Sequence, residues 1–286
     1  MGKIVIVGSG PAGCSAALYA ARAGQEVVVI SMGMGALSKA ELIQNYYGFE
    51  EGITGAELYR QGVAGAQAVG AEFITAEVVG LDYAATLVVQ TTAGDYPADA
   101  VILATGTGRI APKIAGLAEH EGRGVSYCAT CDAFFYRGKT AAVLGSGEYA
   151  LHEVQALLPL AGKVILCTNG EPLTADFPEG VEICTEKLAA VEGEEKVSAL
   201  RLENGELLPV EGLFVALGVA GSAALARKLG APVENGRIVV DERMQTGIPG
   251  LYAAGDCTGG LLQVCKAVYE GALAATEAIK QIRGKK

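Results

Sequence analysis

The sequence predicts an α/β protein built from two similar domains, the second inserted into the first. A buried strand, a glycine-rich turn and a helix follow one another at residues 3–22, and the same order returns at residues 140–160. Each copy is followed by short alternating strands and then by an apolar strand that ends in glycine. With 286 residues, the chain is long enough for two domains that each bury a core.

The first copy has the features of a β-α-β unit. Residues 3–7 form an apolar run, and Pro11 stands where the first turn of a helix should begin. The helix is rich in alanine over residues 16–22, and Gly24 ends it. Residues 26–30 are a second β-branched run, which is typical of a buried parallel strand. This order predicts a parallel sheet whose first two strands are joined by the helix.

The second copy begins with an apolar strand at residues 140–144, followed by a glycine-rich turn at residues 145–150 and a strand at residues 164–167. The later segments correspond in pairs: residues 72–79, 86–92 and 99–106 match residues 181–184, 197–202 and 212–218. The closing segment 247–256 has no counterpart in the second copy, so we expect it to return to the first domain. The prediction is two Rossmann-like three-layer (ββα) domains, the first formed by residues 1–111 and 243–286 and the inserted second by residues 112–242.

Charge and composition exclude several classes of function. A formal net charge of −10 disfavours nucleic acid as a partner, because binding a phosphate backbone needs clustered Lys and Arg. No apolar run approaches the roughly 18 to 20 residues of a membrane span. The apolar start continues directly into a glycine-rich turn, which indicates a buried strand and not a signal peptide. We therefore expect a soluble cytoplasmic protein with no membrane partner.

The glycine-rich turn after the first strand is typical of a dinucleotide site. Gly8, Gly10 and Gly13 follow the G-x-G-x-x-G spacing between a strand and a helix, where pyrophosphate can reach backbone amides at the positive helix end. A turn without a ligand is the alternative, but the segments 105–106 and 255–256 are further features of such a site. Ser31 ends the second strand, so the acidic residue that usually binds an NAD ribose is missing.

Cys128 and Cys131 form a C-x-x-C pair, which suits either redox chemistry or metal binding. Structural zinc needs four ligands, and the sequence offers no second pair at suitable spacing, so no metal is predicted. Cysteines at this spacing can close a small disulfide ring, and a positive environment can lower the pKa of one thiol. Asp132 is a candidate proton donor or acceptor, or else a cap of the following turn. The other five cysteines are interpreted as structural, with less support for Cys257 and Cys265 because they flank residues 255–256.

Residues 124–136, Gly-Val-Ser-Tyr-Cys-Ala-Thr-Cys-Asp-Ala-Phe-Phe-Tyr, resemble the redox segment of the low-molecular-weight thioredoxin reductases. The resemblance covers essentially the whole chain. It implies a flavoprotein oxidoreductase, a thioredoxin-like protein substrate, and a homodimer whose interface the Gly/Ala-rich helix 55–70 would suit. It also implies that Cys131 faces the flavin, that Cys128 is exposed to attack the substrate disulfide, and that Asp132 manages the proton.

The same resemblance places FAD on the first domain. Residues 44–49 and 255–256 resemble the flavin-contacting stretches of the family. The ribityl chain would lie on Asp256, and the helix that begins near Gln263 would point its positive end at the flavin. The implied cofactor contacts are Gly8, Ser9, Gly10, Pro11, Ala12, Gly13, Ser31, Asn45, Val78, Thr105, Gly106, Gly255, Asp256 and Gln263.

The second domain departs from the NADPH-using members of that family. Those members carry an Arg-rich segment after the second strand of this domain, whereas residues 164–179 contain no Lys or Arg. Glu148 and Tyr149 also stand in the second glycine-rich turn, where small or neutral residues favour the approach of pyrophosphate. Tyr127 before the cysteine pair, residues 255–259, and residues 266–268 with 270–271 resemble instead the ferredoxin-dependent flavin thioredoxin reductases. This resemblance implies reduced ferredoxin as the electron donor.

Two alternatives stay open at this point. One is an NADH- or NADPH-dependent thioredoxin reductase with an atypical nucleotide site, which bleaching of the flavin by the nucleotide would support. The other is a non-enzymatic FAD-binding redox sensor whose disulfide state controls a partner. Absence of turnover with every donor would favour the sensor.

Overall fold

The computed structural model describes residues 2–106, 114–218 and 220–284. The chain forms two compact units: the first unit consists of Met1–Gly108 and Gly221–Lys286, and the second unit of Arg109–Ala220. None of the helices in these described ranges is long and apolar enough to cross a membrane.

The first stretch of the first unit begins with the expected β-α-β order. Its strands and helices are β1 (Lys3–Val7), α1 (Pro11–Arg22), β2 (Glu26–Ser31), α2 (Gly55–Ala68), β3 (Glu72–Thr75), β4 (Val78–Tyr83), β5 (Leu87–Thr91), β6 (Gly94–Ala98) and β7 (Ala100–Leu103). Pro11 occupies the first position of α1, where its missing N–H costs no hydrogen bond. Gly24 follows the helix with a φ of +76°, a left-handed conformation that glycine adopts readily. β1 and β2 then pair in parallel.

The second unit repeats this order. Its elements are β8 (Val125–Ser126), α3 (Ala129–Asp132), β9 (Thr140–Leu144), α4 (Glu148–Leu157), β10 (Lys163–Cys167), β11 (Glu182–Cys184), β12 (Leu188–Glu192), β13 (Ala199–Leu202), β14 (Leu207–Pro209) and β15 (Gly212–Val215). β9 and β10 pair in parallel, and the described sheet has the order β11-β10-β9-β15-β8. β12, β13 and β14 form a separate antiparallel sheet.

The last stretch returns to the first unit. It contains α5 (Ser222–Lys228), β16 (Val233–Glu234), β17 (Arg237–Ile238), β18 (Leu251–Ala253) and α6 (Val264–Gly284). β18 pairs in parallel with β7, so the described parallel sheet has the order β18-β7-β1-β2-β3. β4, β5 and β6 form an antiparallel sheet. The predicted α/β fold with two Rossmann-like domains is confirmed.

Helices α1 and α6 pack closely against each other in the core of the first unit. The fully buried alanines of the two helices are Ala16, Ala17, Ala20, Ala274, Ala275 and Ala278. Gly271 also lies at this contact, because a Cβ there would be 2.0 Å from the carbonyl oxygen of Ala12. Small residues let the two backbones approach, and this contact fixes the start of α1 beside α6.

The boundary between the units lies elsewhere than the sequence suggests. The chain re-enters the first unit at Gly221, whereas we placed the return near residue 243. The reason is that α5 packs on β4, and Ser222 exchanges hydrogen bonds with Thr105. The other expected boundary, between residues 111 and 112, lies outside the described residues.

Candidate active site

The glycine-rich turn of the first unit joins β1 to the start of α1. Gly8 has a φ of +110°, and a Cβ there would lie 2.4 Å from the carbonyl oxygen of Ala104. A Cβ on Gly13 would lie 1.8 Å from the carbonyl oxygen of Gly8. Neither position can carry a side chain unless the backbone moves. These two glycines are therefore explained by packing within the chain.

Gly10 has a different environment. It precedes α1 with φ −70° and ψ −173°, a conformation open to any residue, and its Cβ would meet no described atom within 4 Å. The first turn of α1, from Pro11 onward, carries no acidic residue. The backbone amides of Ala12 and Gly13 follow at this positive helix end. The open space beside Gly10 therefore suits an anionic group such as pyrophosphate.

Ser9 connects this turn to the end of β2 through its hydroxyl group. Ser9 Oγ lies 2.7 Å from Ser31 Oγ and 3.1 Å from Tyr59 Oη, and it donates to the carbonyl oxygen of Gly33 at 3.3 Å. The end of β2 thus carries a hydroxyl group where an NAD site would carry a carboxylate. No sequence motif marks Tyr59, which is brought to Ser9 only by the packing of α2.

Two of the predicted cofactor contacts, Asn45 and Gln263, meet in the structure. Asn45 Nδ2 donates to Gln263 Oε1 at 2.8 Å, although 218 positions separate them along the chain. An antiparallel bridge between Ile43 and Ile53 closes the loop that carries Asn45. Residues 44–50 line an open cavity of about 610 Å³. Gln263 directly precedes α6, so this loop is held at the start of that helix.

Thr105 and Gly106 follow β7 at the carboxyl edge of the parallel sheet. Thr105 Oγ1 lies 2.7 Å from Ser222 Oγ and accepts the Ser222 N–H at 2.9 Å. Gly106 has a φ of +73°, which turns the chain away after the strand. Val78 begins β4 with its side chain buried, so any contact it makes with a cofactor comes from the backbone.

The Gly255–Asp256 segment is held by a charged network at the start of α6. Glu270 Oε2 accepts the Gly255 N–H at 2.8 Å and the Thr258 hydroxyl at 2.9 Å, and it lies 3.0 Å from Lys266 Nζ. Lys266 also donates to the carbonyl oxygen of Gly255 at 2.9 Å. The Asp256 carboxylate has no hydrogen-bond partner among the described residues and can accept from a ligand. The spacing of Lys266 and Glu270 on one helix face is the sequence signal for this network.

In the second unit, Cys128 and Cys131 form a disulfide with a Cα–Cα distance of 5.4 Å. Cys128 caps the start of α3, and its Sγ accepts the Cys131 N–H at 3.1 Å. Cys128 is 4% exposed, whereas Cys131 is exposed. The expectation that Cys128 is the exposed sulfur is wrong for this conformation, because the capping residue before the short helix faces inward, whereas Cys131 within the helix lies on its outer side. Attack by Cys128 on a protein disulfide requires another conformation.

Asp132 is linked to Cys128 through Ser126. The Ser126 hydroxyl donates to Asp132 Oδ2 at 2.7 Å, and Ser126 Oγ accepts the Cys128 N–H at 3.1 Å. Burial, and to a smaller extent the charge of Asp132, raises the pKa of Tyr136. The Asp132 carboxylate is therefore connected to the redox pair through one hydroxyl group, that of Ser126. It can hold a proton at this position. Ser126 carries no recognisable signal in the sequence.

The second glycine-rich turn differs from the first at its middle glycine. A Cβ on Gly147 would lie 3.0 Å from Thr174 Oγ1, and Thr174 donates its N–H to the carbonyl oxygen of Ser146 at 2.8 Å. The segment after β10 therefore lies over this turn. Glu148, the first residue of α4, adds a negative charge at the positive end of the helix. The space that is open beside Gly10 is thus occupied by the chain itself beside Gly147.

Tyr149 does not crowd this turn, contrary to the sequence interpretation. Its side chain is 2% exposed, and its hydroxyl donates to the carbonyl oxygen of Tyr127 at 3.0 Å. Tyr149 therefore points toward the segment that precedes the redox cysteines. The physical reason is that the second residue of α4 faces the protein interior.

Three of the other cysteines are buried thiols with raised pKa values. Burial raises the pKa of Cys14 to about 12 and that of Cys257 to about 11, and it also raises the pKa of Cys167. These groups stay protonated near pH 7, and a thiol without its thiolate is a poor redox nucleophile. Cys265 is exposed.

Comparison with known proteins agrees with this arrangement. Residues 2–271 match the pyridine nucleotide-disulphide oxidoreductase family. A thioredoxin reductase of Aquifex aeolicus is 35% identical, covering 99% of this chain and 94% of the relative. The atypical thioredoxin reductase of Desulfovibrio vulgaris Hildenborough has a TM-score of 0.93 at 40% identity, covering 99% of each chain. A ferredoxin-flavin thioredoxin reductase of Clostridium acetobutylicum has a TM-score of 0.74 at 36% identity, covering 99% of this chain and 98% of that one.

The fold and the paired cysteines define a flavin-dependent disulfide oxidoreductase. The chain belongs to the low-molecular-weight thioredoxin reductase family. Its cofactor is FAD, which supplies one-electron and two-electron redox chemistry. The residues present fit this group, because the missing side chain of Gly10 leaves space for a pyrophosphate at the start of α1 and no contact among the described residues explains that glycine.

Proposed function

We propose that this chain passes electrons from reduced ferredoxin, through FAD in the first unit and the Cys128–Cys131 pair in the second, to a thioredoxin disulfide. The choice of ferredoxin over a nucleotide as donor rests on the structure of the second glycine-rich turn. A domain built like a dinucleotide-binding domain has Thr174 at the position where pyrophosphate would approach Gly147. This leaves the second unit as a carrier of the redox pair.

The charges around that turn support the same proposal. Residues 164–179 contain no Lys or Arg, while Glu171, Asp176 and Glu179 add negative charge. Glu148 stands at the helix end that would otherwise attract a phosphate. The relative from Clostridium acetobutylicum, named as a ferredoxin-flavin thioredoxin reductase, is 36% identical over nearly the whole chain. A protein donor of single electrons suits FAD, which can collect two of them before a disulfide is reduced.

We propose that the predicted cofactor contacts hold FAD in the first unit. Pyrophosphate would lie beside Gly10 on the amides at the start of α1, and the Asp256 carboxylate would accept hydrogen bonds from the ribityl chain. The Asn45–Gln263 hydrogen bond and the Glu270 network hold the surrounding loops in place. In the second unit, we propose that Asp132 holds the proton that thiol-disulfide exchange takes up or releases.

Replacing Gly10 with alanine tests the pyrophosphate assignment. Gly10→Ala should change the stability of the apoprotein by no more than about 1 kcal/mol, because the new methyl group meets no described atom. It should weaken FAD binding by about tenfold or more, or about 1.4 kcal/mol, because the methyl group occupies the approach of the ligand. Thermal unfolding of the apoprotein and titration with FAD measure the two effects.

Gly147→Ala is the matched control, since Gly147 is the corresponding glycine of the second unit. It should leave FAD affinity unchanged. Equal FAD affinity of wild type and Gly10→Ala would show that pyrophosphate does not lie at this turn.

One observation favours the NADH- or NADPH-dependent alternative. The side chain of Lys187 lies beside the turn after β10, where a Cβ on Gly170 would be 3.2 Å from its Cε. One flexible amine can attract a phosphate, but it lacks the paired geometry that arginine offers. We therefore keep ferredoxin as the proposed donor.

The glycines of α2 have a use within the chain. A Cβ on Gly62 would lie 3.4 Å from Cys14 Cβ, and one on Gly65 would lie 4.0 Å from Leu18 Cδ2. These are ordinary van der Waals distances, so both glycines lie where α2 packs on α1, and that position gives no support to an interface with a second copy. We still propose a homodimer in the cytoplasm on the resemblance to the family, and light scattering of the holoprotein tests the dimer.

The proposed function is tested by an anaerobic assay with a thioredoxin disulfide and one reductant at a time. We expect turnover with reduced ferredoxin and none above background with NADPH or NADH. Turnover with a nucleotide alone would establish the alternative reductase, and no turnover with all three would favour the redox sensor.

A further inference from the structure

A buried carboxylate lies next to the redox pair. Glu153 on α4 has a side chain that is 1% exposed, and its Oε2 accepts the Ala129 N–H at 2.5 Å. Ala129 follows Cys128 directly and begins α3. A backbone N–H bond favours the ionised form of a carboxylate. Burial favours the neutral form of a carboxyl group, whereas the Ala129 N–H and the neighbouring His152 ring favour the ionised form, in which Glu153 would place a negative charge a few covalent bonds from Cys128 Sγ.

The surroundings of the two sulfurs are unequal. On the buried side, Glu153 contacts the residue after Cys128, and Asp132 is linked to the Cys128 N–H through Ser126. Cys131 is exposed to solvent. The other titratable groups on the elements packed against the pair are Tyr127, Asp132, Tyr136, Glu148, Tyr149 and His152, and His152 Nδ1 lies 3.3 Å from Glu153 Oε1. Burial of Cys128 disfavours a thiolate there, whereas solvent can stabilise a thiolate at the exposed Cys131.

We propose that Glu153 is a positioning residue of the redox site, which anchors Ala129 and directs the proton to Cys128 when the disulfide is reduced. Two electrons enter the Sγ–Sγ bond and break it. Cys128 binds one proton, which comes from water by way of Asp132, and Cys131 is left as the thiolate. This inference deepens the proposed function, because it assigns the protonation state of the reduced pair from which electrons pass to the substrate disulfide.

The charge of Glu153 has a pH-dependent signature. A nearby negative charge raises the pKa of the Cys128 thiol, so Glu153→Gln should lower that pKa, by about one unit. The amide can still accept the Ala129 N–H. A lower pKa of Cys128 stabilises the dithiol only at a pH above that pKa. At lower pH the Cys128 thiol is protonated in both wild type and Glu153→Gln, so the two proteins do not differ. The dithiol of the variant should therefore become more stable at high pH and remain unchanged at pH 7.

The experiment equilibrates the FAD-loaded protein with mixtures of reduced and oxidised dithiothreitol between pH 7 and pH 10. Glu153→Gln should match wild type at pH 7 and approach a tenfold shift of the equilibrium toward the dithiol at pH 10. Tenfold corresponds to about 30 mV for a two-electron couple. Glu148→Gln, an acid to amide change on the same helix, is the control. It should leave the dithiol–disulfide equilibrium unchanged at both pH 7 and pH 10. If Glu153 acted only by anchoring Ala129, Glu153→Gln would shift the equilibrium equally at every pH. That result would overturn the role given to the charge of Glu153.

A measurement on the unaltered protein covers the case in which Glu153→Gln does not fold. The reduced holoprotein is alkylated across the same pH range, and the modified peptides give the pH midpoint for each cysteine. We expect the midpoint of Cys128 to lie above that of Cys131 and above the ordinary thiol value of about 8.5. The reverse order would overturn the proposal. Neither experiment uses ferredoxin or thioredoxin, so failure of the proposed function would leave both readouts intact.

Discussion

Cys128→Ser and Cys131→Ser should each lower thioredoxin reduction by at least about 10³-fold. Transfer of an electron pair to a substrate disulfide passes through a mixed disulfide that the second sulfur must resolve, and a hydroxyl group does neither step. The two cysteines are already bonded in the structure, and Ser126, Ala129 and Glu153 hold the surrounding turn. The rate of thioredoxin reduction, measured with whichever donor the wild type uses, gives the result.

Cys265→Ser is the control for these variants. Cys265 is an exposed free cysteine, so its thiol is accessible to reagents but has no partner sulfur in the described structure. It should retain wild-type activity. If either redox variant kept the wild-type rate, the assignment of the Cys128–Cys131 pair would be wrong.

NADPH should bind about 10² to 10⁴-fold more weakly than in a domain that grips the 2′-phosphate with two arginines. Each such charge-assisted contact contributes about 1.5 to 3 kcal/mol, and residues 164–179 supply none. Thr174 and Glu148 oppose the pyrophosphate as well. Calorimetric titration of the holoprotein with NADPH measures the affinity, and a micromolar dissociation constant would contradict the expectation.

Arginines at positions 168 and 169 should not restore NADPH binding. Thr168 is 1% exposed, so Thr168→Arg would bury a charge. Asn169 has a φ of +56°, and its Oδ1 accepts the Leu188 N–H at 2.9 Å, a contact that arginine cannot make. The exposed double change Glu171→Arg with Thr174→Gly replaces a negative charge with a positive one and removes the group over Gly147, and it should gain about tenfold in affinity or more. If the variant with Thr168→Arg and Asn169→Arg bound NADPH more tightly than this double variant, the role given to Thr174 would be refuted.

Local periodicity predicted the parallel sheets well, because buried strands and Ala-rich helices show their pattern within a few residues. The strand predicted at residues 72–79 is instead two strands, β3 and β4, which belong to different sheets. No glycine or proline stands between Thr75 and Val78, so the sequence gives no turn signal at the break. The return to the first unit at Gly221 was also missed, since only the long-range bonds between Ser222 and Thr105 place it.

The predicted cofactor residues of the first unit rest on motifs, and the structure adds the groups that hold them. Tyr59, Ser222 and Glu270 bond to predicted residues from distant parts of the chain, and such contacts leave no local pattern. In the second unit, the direction of Tyr149 and the burial of Cys128 depend on which side of a short helix faces inward. A motif gives the spacing of such residues but not their exposure.

The donor of electrons is tested most directly by anaerobic stopped-flow reduction of the bound flavin with reduced ferredoxin, NADPH and NADH in parallel. We expect reduced ferredoxin to bleach the flavin rapidly and neither nucleotide to do so at physiological concentration. Association with ferredoxin should weaken as salt rises if local Lys and Arg attract it against the net charge of −10. Rapid bleaching by micromolar NADPH or NADH, with no response to reduced ferredoxin, would contradict the proposed function and establish the nucleotide-dependent reductase.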